Sequence, residues 1–239
     1  MKKMIMLVLA LSLTVVLAAC SDDSDSASTN KDDKSSKETT EPKSEEIKIT
    51  DDEKVDKEKV VTKINGEEIK GKQYNASYAQ TKMLMDRYEQ DVSDVKKVKE
   101  QTLNVIVEQE LLKQAAEDKG IKVTDEEIQK EFETIKSENA DKFKTALEQY
   151  NLTEETYKEQ LAFEITLQKY MKKELKATEV TEDEVQAYYE KLKEQSKDVP
   201  KLEEVKEQIK SQLKQQDQQE KLQAKVKQLK EQATIKHMI

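Results

Sequence analysis

Glycine and proline are scarce, three and two in 239 residues, where average usage of ~7% and ~5% would place about seventeen and twelve. Barrels, sandwiches and doubly wound sheets, which turn often, are excluded by that shortage, and Gly66, Gly71 and Gly120 stand too far apart to form a phosphate-cradling loop. With one histidine, one cysteine and no tryptophan, the chain lacks material for a Cys/His zinc site and has no spare member for a Ser-His-Asp triad or a Cys-His dyad. Paired carboxylates such as Glu126 with Glu127 and Glu203 with Glu204 fall in helical first turns, where the helix dipole accounts for them. The expectation is therefore no catalytic residue, no metal site and no cofactor.

What is present is a mainly α composition divided along the chain. Charged residues make up 39% and hydrophobic ones 35%, close to the border where a chain cannot offset its ordering entropy. The apolar residues are concentrated at the start and again from about Val60. Met1-Lys2-Lys3 followed by an apolar run reads as a signal peptide over residues 1–19, too short to span a bilayer. Leu17-Ala18-Ala19-Cys20 ends it and resembles the lipobox of bacterial lipoproteins. That likeness implies lipidation of Cys20, the only cysteine in the chain, with palmitate-type acyl chains. Two or more such chains anchor stably where one does not. The membrane would be engaged through the lipid alone.

Removal of Lys2 and Lys3 leaves 40 basic against 51 acidic side chains, a net charge of −11. Nucleic acid and anionic headgroups repel such a body. From Ser21 to Lys54 the only apolar residues are Ala27, Ile47 and Ile49, so residues 20–58 read as an acidic tether. As a flexible coil at ~5–6 Å × √n it reaches ~30 Å.

Residues 59–239 read as one helical domain. Val60–Ile64 is β-branched and runs into Asn65-Gly66, a strong hairpin-turn signal. Residues 234–239 alternate again, and the two chain ends are expected to pair, with His237 packed beside Ile235 and Ile239. Helices are punctuated by Gly71 as an N-cap, by Lys119-Gly120 at a C-terminus, and by Thr124, Thr153 and Thr181 as caps. The fold class is a mainly α helical bundle, with a long helix over 200–233 and a small β attachment joining the N- and C-terminal strands.

Two helices carry patterns beyond plain amphipathicity. After Thr153, Tyr157, Leu161, Met171 and Leu175 share one face, while Phe163 and Tyr170 point away from it. Either that helix is wrapped on both sides or it offers an apolar surface. In the last helix, Leu202, Val205, Ile209 and Leu213 form one stripe, and Leu222, Val226 and Leu229 form another about 180° away. The polar stretch 215–220 between them reads as an exposed neck.

Val105 to Ile128, a helix, a glycine stop and a Thr-Asp-Glu-Glu cap, resembles the core helix pair of the SurA/PrsA family of extracytoplasmic foldases. The segments Val61 to Ile69, Val180 to Glu190 and Leu202 to Leu213 resemble that family's opening strand and the helices leading into and out of its isomerase domain. The resemblance implies a foldase-type chaperone body, lipid-anchored on the extracytoplasmic face of the cell membrane of a Gram-positive bacterium. It also exposes a departure. Only about ten residues separate the helices between which the family carries a parvulin-type isomerase domain, and His237 alone cannot supply the paired histidines of such a site.

The reading reached is a membrane-anchored chaperone that binds unfolded or newly exported polypeptides without isomerase chemistry. Phe163, Tyr170, Met83 and Met85 are the candidate client contacts, the methionines as adaptable apolar surface. The acidic surface is expected to favour basic clients. Two alternatives are a structural or adaptor lipoprotein that holds a defined envelope partner or a second copy of itself, and a reduced peptidyl-prolyl isomerase.

Overall fold

The computed structural model describes residues 49–138, 140–149, 152–196 and 199–239. The expected signal peptide, Cys20 and most of the tether lie outside the described residues. β1 (Val60–Ile64) turns at Asn65 and Gly66, which both take positive φ, 54° and 96°, and returns as β2 (Glu67–Lys70). This is the geometry that Asn-Gly favours, because its twist matches that of the two strands. Ile64 faces Glu67 and Thr62 faces Ile69 across the hairpin, with a bulge near Val60. On the other side of β1 lies β3 (Ile235–His237), antiparallel, pairing Ile64 with Ile235 and Thr62 with His237. The sheet order is β2-β1-β3, so the two ends of the domain meet. His237 corrects one expectation: it is exposed at the open margin of the sheet, whereas Ile235 and Ile239 pack inward.

Among the described residues seven helices follow the hairpin: α1 (Gly71–Arg87), α2 (Val95–Asp118), α3 (Asp125–Glu138), α4 (Ala140–Gln149), α5 (Glu154–Glu174), α6 (Glu182–Gln195) and α7 (Leu202–Gln232). Their starts are fixed by side chains that satisfy orphan backbone donors. Thr124 Oγ1 accepts from Glu127 N while Glu127 closes the box on Thr124 N, at 3.3 and 2.9 Å. Thr181 and Glu184 do the same at α6, and Thr153 with Thr156 at α5. Gly120, at φ 67°, stops α2. α4 has no counterpart in the sequence reading.

Gly71 is the first residue of α1, and Lys70 is the cap. Glycine is required there by close approach, since a Cβ would lie 1.9 Å from the backbone oxygen of Asp56. The same contact shows that the folded body begins well before residue 59. Residues 49–58 form a strap with one 3₁₀ turn, Asp51–Glu53. Ile49 and Val55 pack on the main core. Asn75 reads both backbone groups of Val55, at 3.0 and 2.8 Å. Residues 49–58, expected in the tether, therefore belong to the folded body.

Two apolar clusters stand out among the described residues. The main one joins the sheet to α1 and α2 through residues such as Val61, Ile64, Tyr74, Ile106 and Leu111, and is covered by Leu229 from the last turn of α7 and by Ala233 just after it. The second lies in α3, α4 and α5, where Phe132, Phe143, Leu147 and Leu161 are buried. Phe143 meets Phe132 and Tyr157 edge-on at 5.5 and 5.4 Å between ring centroids. Each such buried side chain is worth ~1.5–3 kcal/mol relative to exposure.

α7 serves two neighbours. Its first half packs on α6, with Lys206 and Lys210 both paired to Glu182 at 2.5 and 2.8 Å. Its second half packs on α2, where Lys230 reaches Glu108 at 3.3 Å. The inverted stripes therefore have a physical cause, since each faces a different partner. The polar stretch between them is not a bare neck, because Asp217 holds the α5–α6 connection.

Candidate functional site

The four candidate contacts divide in two. Met85 is fully buried, and Tyr170 is 2% exposed. Both are core residues, which corrects the expectation for them. Met85 continues the α1 stripe of Tyr74, Tyr78 and Lys82, which faces the sheet and α2. Tyr170 is covered because α5 is flanked on two sides, by α2 and by α3. Phe163 and Met83 are half-buried.

Between the end of α5 and the middle of α7 runs an open groove of about 480 Å³, lined by Gln168, Met171, Lys172, Lys176, Ala177 and Gln218. Its far wall is clasped. Asp217 accepts from the Thr178 backbone N–H at 2.6 Å and from the Thr178 hydroxyl at 3.3 Å. Lys221 donates to Asp217, to the Thr178 hydroxyl and to the carbonyl of Lys176, at 2.8, 2.9 and 2.7 Å. Hydrogen bonds from Lys221 and from the Thr178 backbone hold the Asp217 carboxyl below its usual range. The clasp residues Thr178, Asp217 and Lys221 were not singled out by sequence reasoning. The Asp217/Lys221 pair at i, i+4 was the available signal.

A second polar cluster lies under the strap. Glu53, 3% exposed, accepts from Tyr78 Oη at 2.7 Å, from Lys82 Nζ at 2.6 Å and from the Thr50 backbone N–H at 2.8 Å. Burial alone would raise the Glu53 carboxyl, but the hydrogen bonds from Lys82, the Thr50 backbone and Tyr78 outweigh it and hold it at about 2. Burial, aided by the Glu53 charge, pushes the neighbouring Tyr74 phenol up to about 12. Glu53 sits where the tether was expected, and that is why sequence reasoning missed it. All its acceptor capacity is spent within the fold, so it ties strap to helix and has nothing to offer a substrate.

Among the described residues no group of three or more His, Cys, Asp or Glu could hold a metal, and no helix is long and apolar enough to cross a membrane. What the arrangement offers is half-buried apolar groups and the groove.

The family model described as the SurA-like N-terminal domain matches residues 48–171, from the first residue before the strap to Met171. The chain belongs to that family. Relatives carry the name foldase. The "Foldase protein PrsA" of Caldanaerobacter subterraneus subsp. tengcongensis is 32% identical over 146 residues, 56% of this chain and 43% of that one. That of Clostridium perfringens is 31% identical over 153 residues, covering 59% and 44%. "Foldase protein PrsA 2" of Bacillus cereus is 37% identical over 81 residues, 34% of this chain and 27% of that one. The chain spans less than half the length of these relatives. Between α6 and α7, where the resemblance leads one to expect an isomerase domain, stand only residues 196–201.

Proposed function

We propose that the protein is a chaperone, tethered by lipid on Cys20 to the extracytoplasmic face of the cell membrane, that binds unfolded or newly exported polypeptides without isomerase chemistry. The observation that carries this reading is a foldase-family helical body whose α6 and α7 pair directly, with no room between them for a catalytic domain. Client side chains dock transiently on half-buried apolar groups, for which Phe163 and Met83 remain the candidates. Transient docking needs no covalent step and no cofactor. The acidic body, with a formal charge of −9 before processing, keeps protein and client complexes soluble.

The test places the full chain in neutral phosphatidylcholine vesicles and follows light scattering of a secreted protein diluted from urea. The expected result is slower aggregation at near-stoichiometric ratios, with crosslinks to the client and none to its folded form. Aggregation at the rate seen with empty vesicles, and no crosslink, refutes the chaperone reading. Mass spectrometry of the mature N-terminus reads the lipid on Cys20. Acceleration of cis/trans exchange in a proline peptide would overturn the non-enzymatic part.

A further inference from the structure

The α5–α7 groove differs from the rest of this acidic surface in its charge. The last turns of α5 and the residues after them carry Lys169, Lys172, Lys173 and Lys176. Basic residues there suit the negative end of the helix dipole, but the dipole does not decide what else they bind. Lys169 donates to Glu127 at 2.6 Å and to the Lys122 carbonyl at 3.0 Å. Lys173 donates to the Lys119 carbonyl at 2.7 Å. Of the nearby acids, Glu174 is engaged by Lys119 at 3.0 Å and Asp217 by Lys221 at 2.8 Å, while Glu179, beyond the groove-lining Ala177, is exposed. The ammonium groups of Lys172 and Lys176, the two lysines that line the groove, have no hydrogen-bond or ion-pair partner among the described residues. Met171 and Ala177, which line the groove with them, are half-buried.

We propose that this groove is a docking site for an extended polypeptide segment that sets an apolar side chain on Met171 and Ala177 and a neighbouring carboxylate between Lys172 and Lys176. It rests on the chaperone reading and specifies the client chemistry. A volume of about 480 Å³ falls within the ~300–1,000 Å³ of ordinary ligand sites, which is room for about two or three residues and not for a folded domain. Met171 is the side chain best able to adapt to varied apolar partners. Gln168 and Gln218 at the rim offer donors and acceptors to a peptide backbone. The Thr178–Asp217–Lys221 clasp holds the wall before any ligand arrives, so less ordering entropy is lost on binding. The charge preference expected from the whole surface is thereby reversed at this one place. Acidic segments that the body repels elsewhere find a local attraction here.

The test uses the full chain in neutral phosphatidylcholine vesicles and fluorescence anisotropy of two labelled decapeptides of leucine and serine, alike except that one carries two glutamates and the other two lysines. The wild type is expected to bind the glutamate peptide at least about fivefold more tightly, the size expected of two exposed charge pairs, with the preference falling at 0.5 M salt. Lys172→Glu with Lys176→Glu, both on exposed side chains, should invert that preference. Met171→Ser should weaken both peptides while keeping their ratio. Equal affinities in wild type and charge-reversed protein overturn the groove, and if client aggregation is still slowed, the chaperone reading survives. If neither peptide binds and aggregation is not slowed, both readings fail. Binding to vesicles doped with phosphatidylglycerol that needs Lys172 and Lys176, without any peptide preference, assigns the lysines to lipid and overturns the proposal.

Discussion

Replacing Glu53 tests how the strap is held. Its carboxylate is 3% exposed and accepts from a lysine that is itself 8% exposed. A folded-state pKa of about 2 against a reference of 4.5 corresponds to about 3 kcal/mol. The folded pKa is depressed, so this stabilisation is fully present above pH 4.5 and is lost as pH falls from there towards 2. Glu53→Gln, which keeps the shape and removes the charge, should therefore cost about 3 kcal/mol at pH 7 by urea denaturation of the chain from Ser21 onward. That cost should shrink steadily below pH 4.5. Glu53→Ala removes the charge partner of a buried ammonium and should cost more, ~3–5 kcal/mol. Hydrogen exchange at Val55, whose N–H is read by Asn75, reports whether the strap opens first. Many exposed carboxylates here are also depressed, Glu127 by Lys169 and Glu182 by Lys206 and Lys210 among them. The difference between wild type and Glu53→Gln cancels their contribution. A difference that stays constant from pH 6 to 2.5, or one below about 1 kcal/mol at pH 7, refutes the reasoning.

Tyr74→Phe removes a buried hydroxyl that has no hydrogen-bond partner among the described residues, and should leave stability unchanged or raise it by up to about 1 kcal/mol; a clear loss in thermal unfolding would mean the hydroxyl is satisfied. Gly71→Ala drives a Cβ against the Asp56 carbonyl, where 1.9 Å is available, and should cost ~1–3 kcal/mol with faster exchange in the strap. Phe132→Ala empties the centre of the α3–α5 cluster and should cost ~3–5 kcal/mol, read as loss of helix ellipticity before the sheet core opens. Truncation after Ala233 removes β3 and the bonds Asn65 N to Thr234 O and Met238 N to Val61 O, 2.9 and 2.8 Å. The edge of β1 is then bare, and concentration-dependent association is expected in sedimentation.

The features readable from sequence were those with local causes. Asn65-Gly66 announces its own turn, Thr124 and Thr181 announce their own caps, and a half-turn of phase between Leu213 and Leu222 announces a helix with two partners. What escaped depends on distant company. Glu53 looks like one more acid in a solvated run, because its lysine lies 29 residues on and a polar pair leaves no hydrophobic period. α4 presents little beyond Phe143 and Leu147, too short a repeat to stand out from its neighbours. Helical spacing puts Tyr170 on the face opposite Leu161, but whether that face meets solvent depends on which helix lies across it. Spacing along one helix specifies direction and is silent on what stands there.

The same distinction bears on where the functional body ends. The family match stops at Met171, yet the core it contains is not closed by those residues. β1 needs β3 for its second edge, and the main cluster is covered by Leu229, Ala233, Ile235 and Ile239. α7 must therefore run its full length to bring β3 home, and its direct pairing with α6 through Glu182, Lys206 and Lys210 is what sets its path. In a chain with a domain between those helices, that domain's anchor points would share the task. Here the α6–α7 pair has it alone, and the link from α5 to α6 is clasped onto α7 at Asp217. The groove at that clasp follows from the same construction, because the connection that closes the fold also forms its wall.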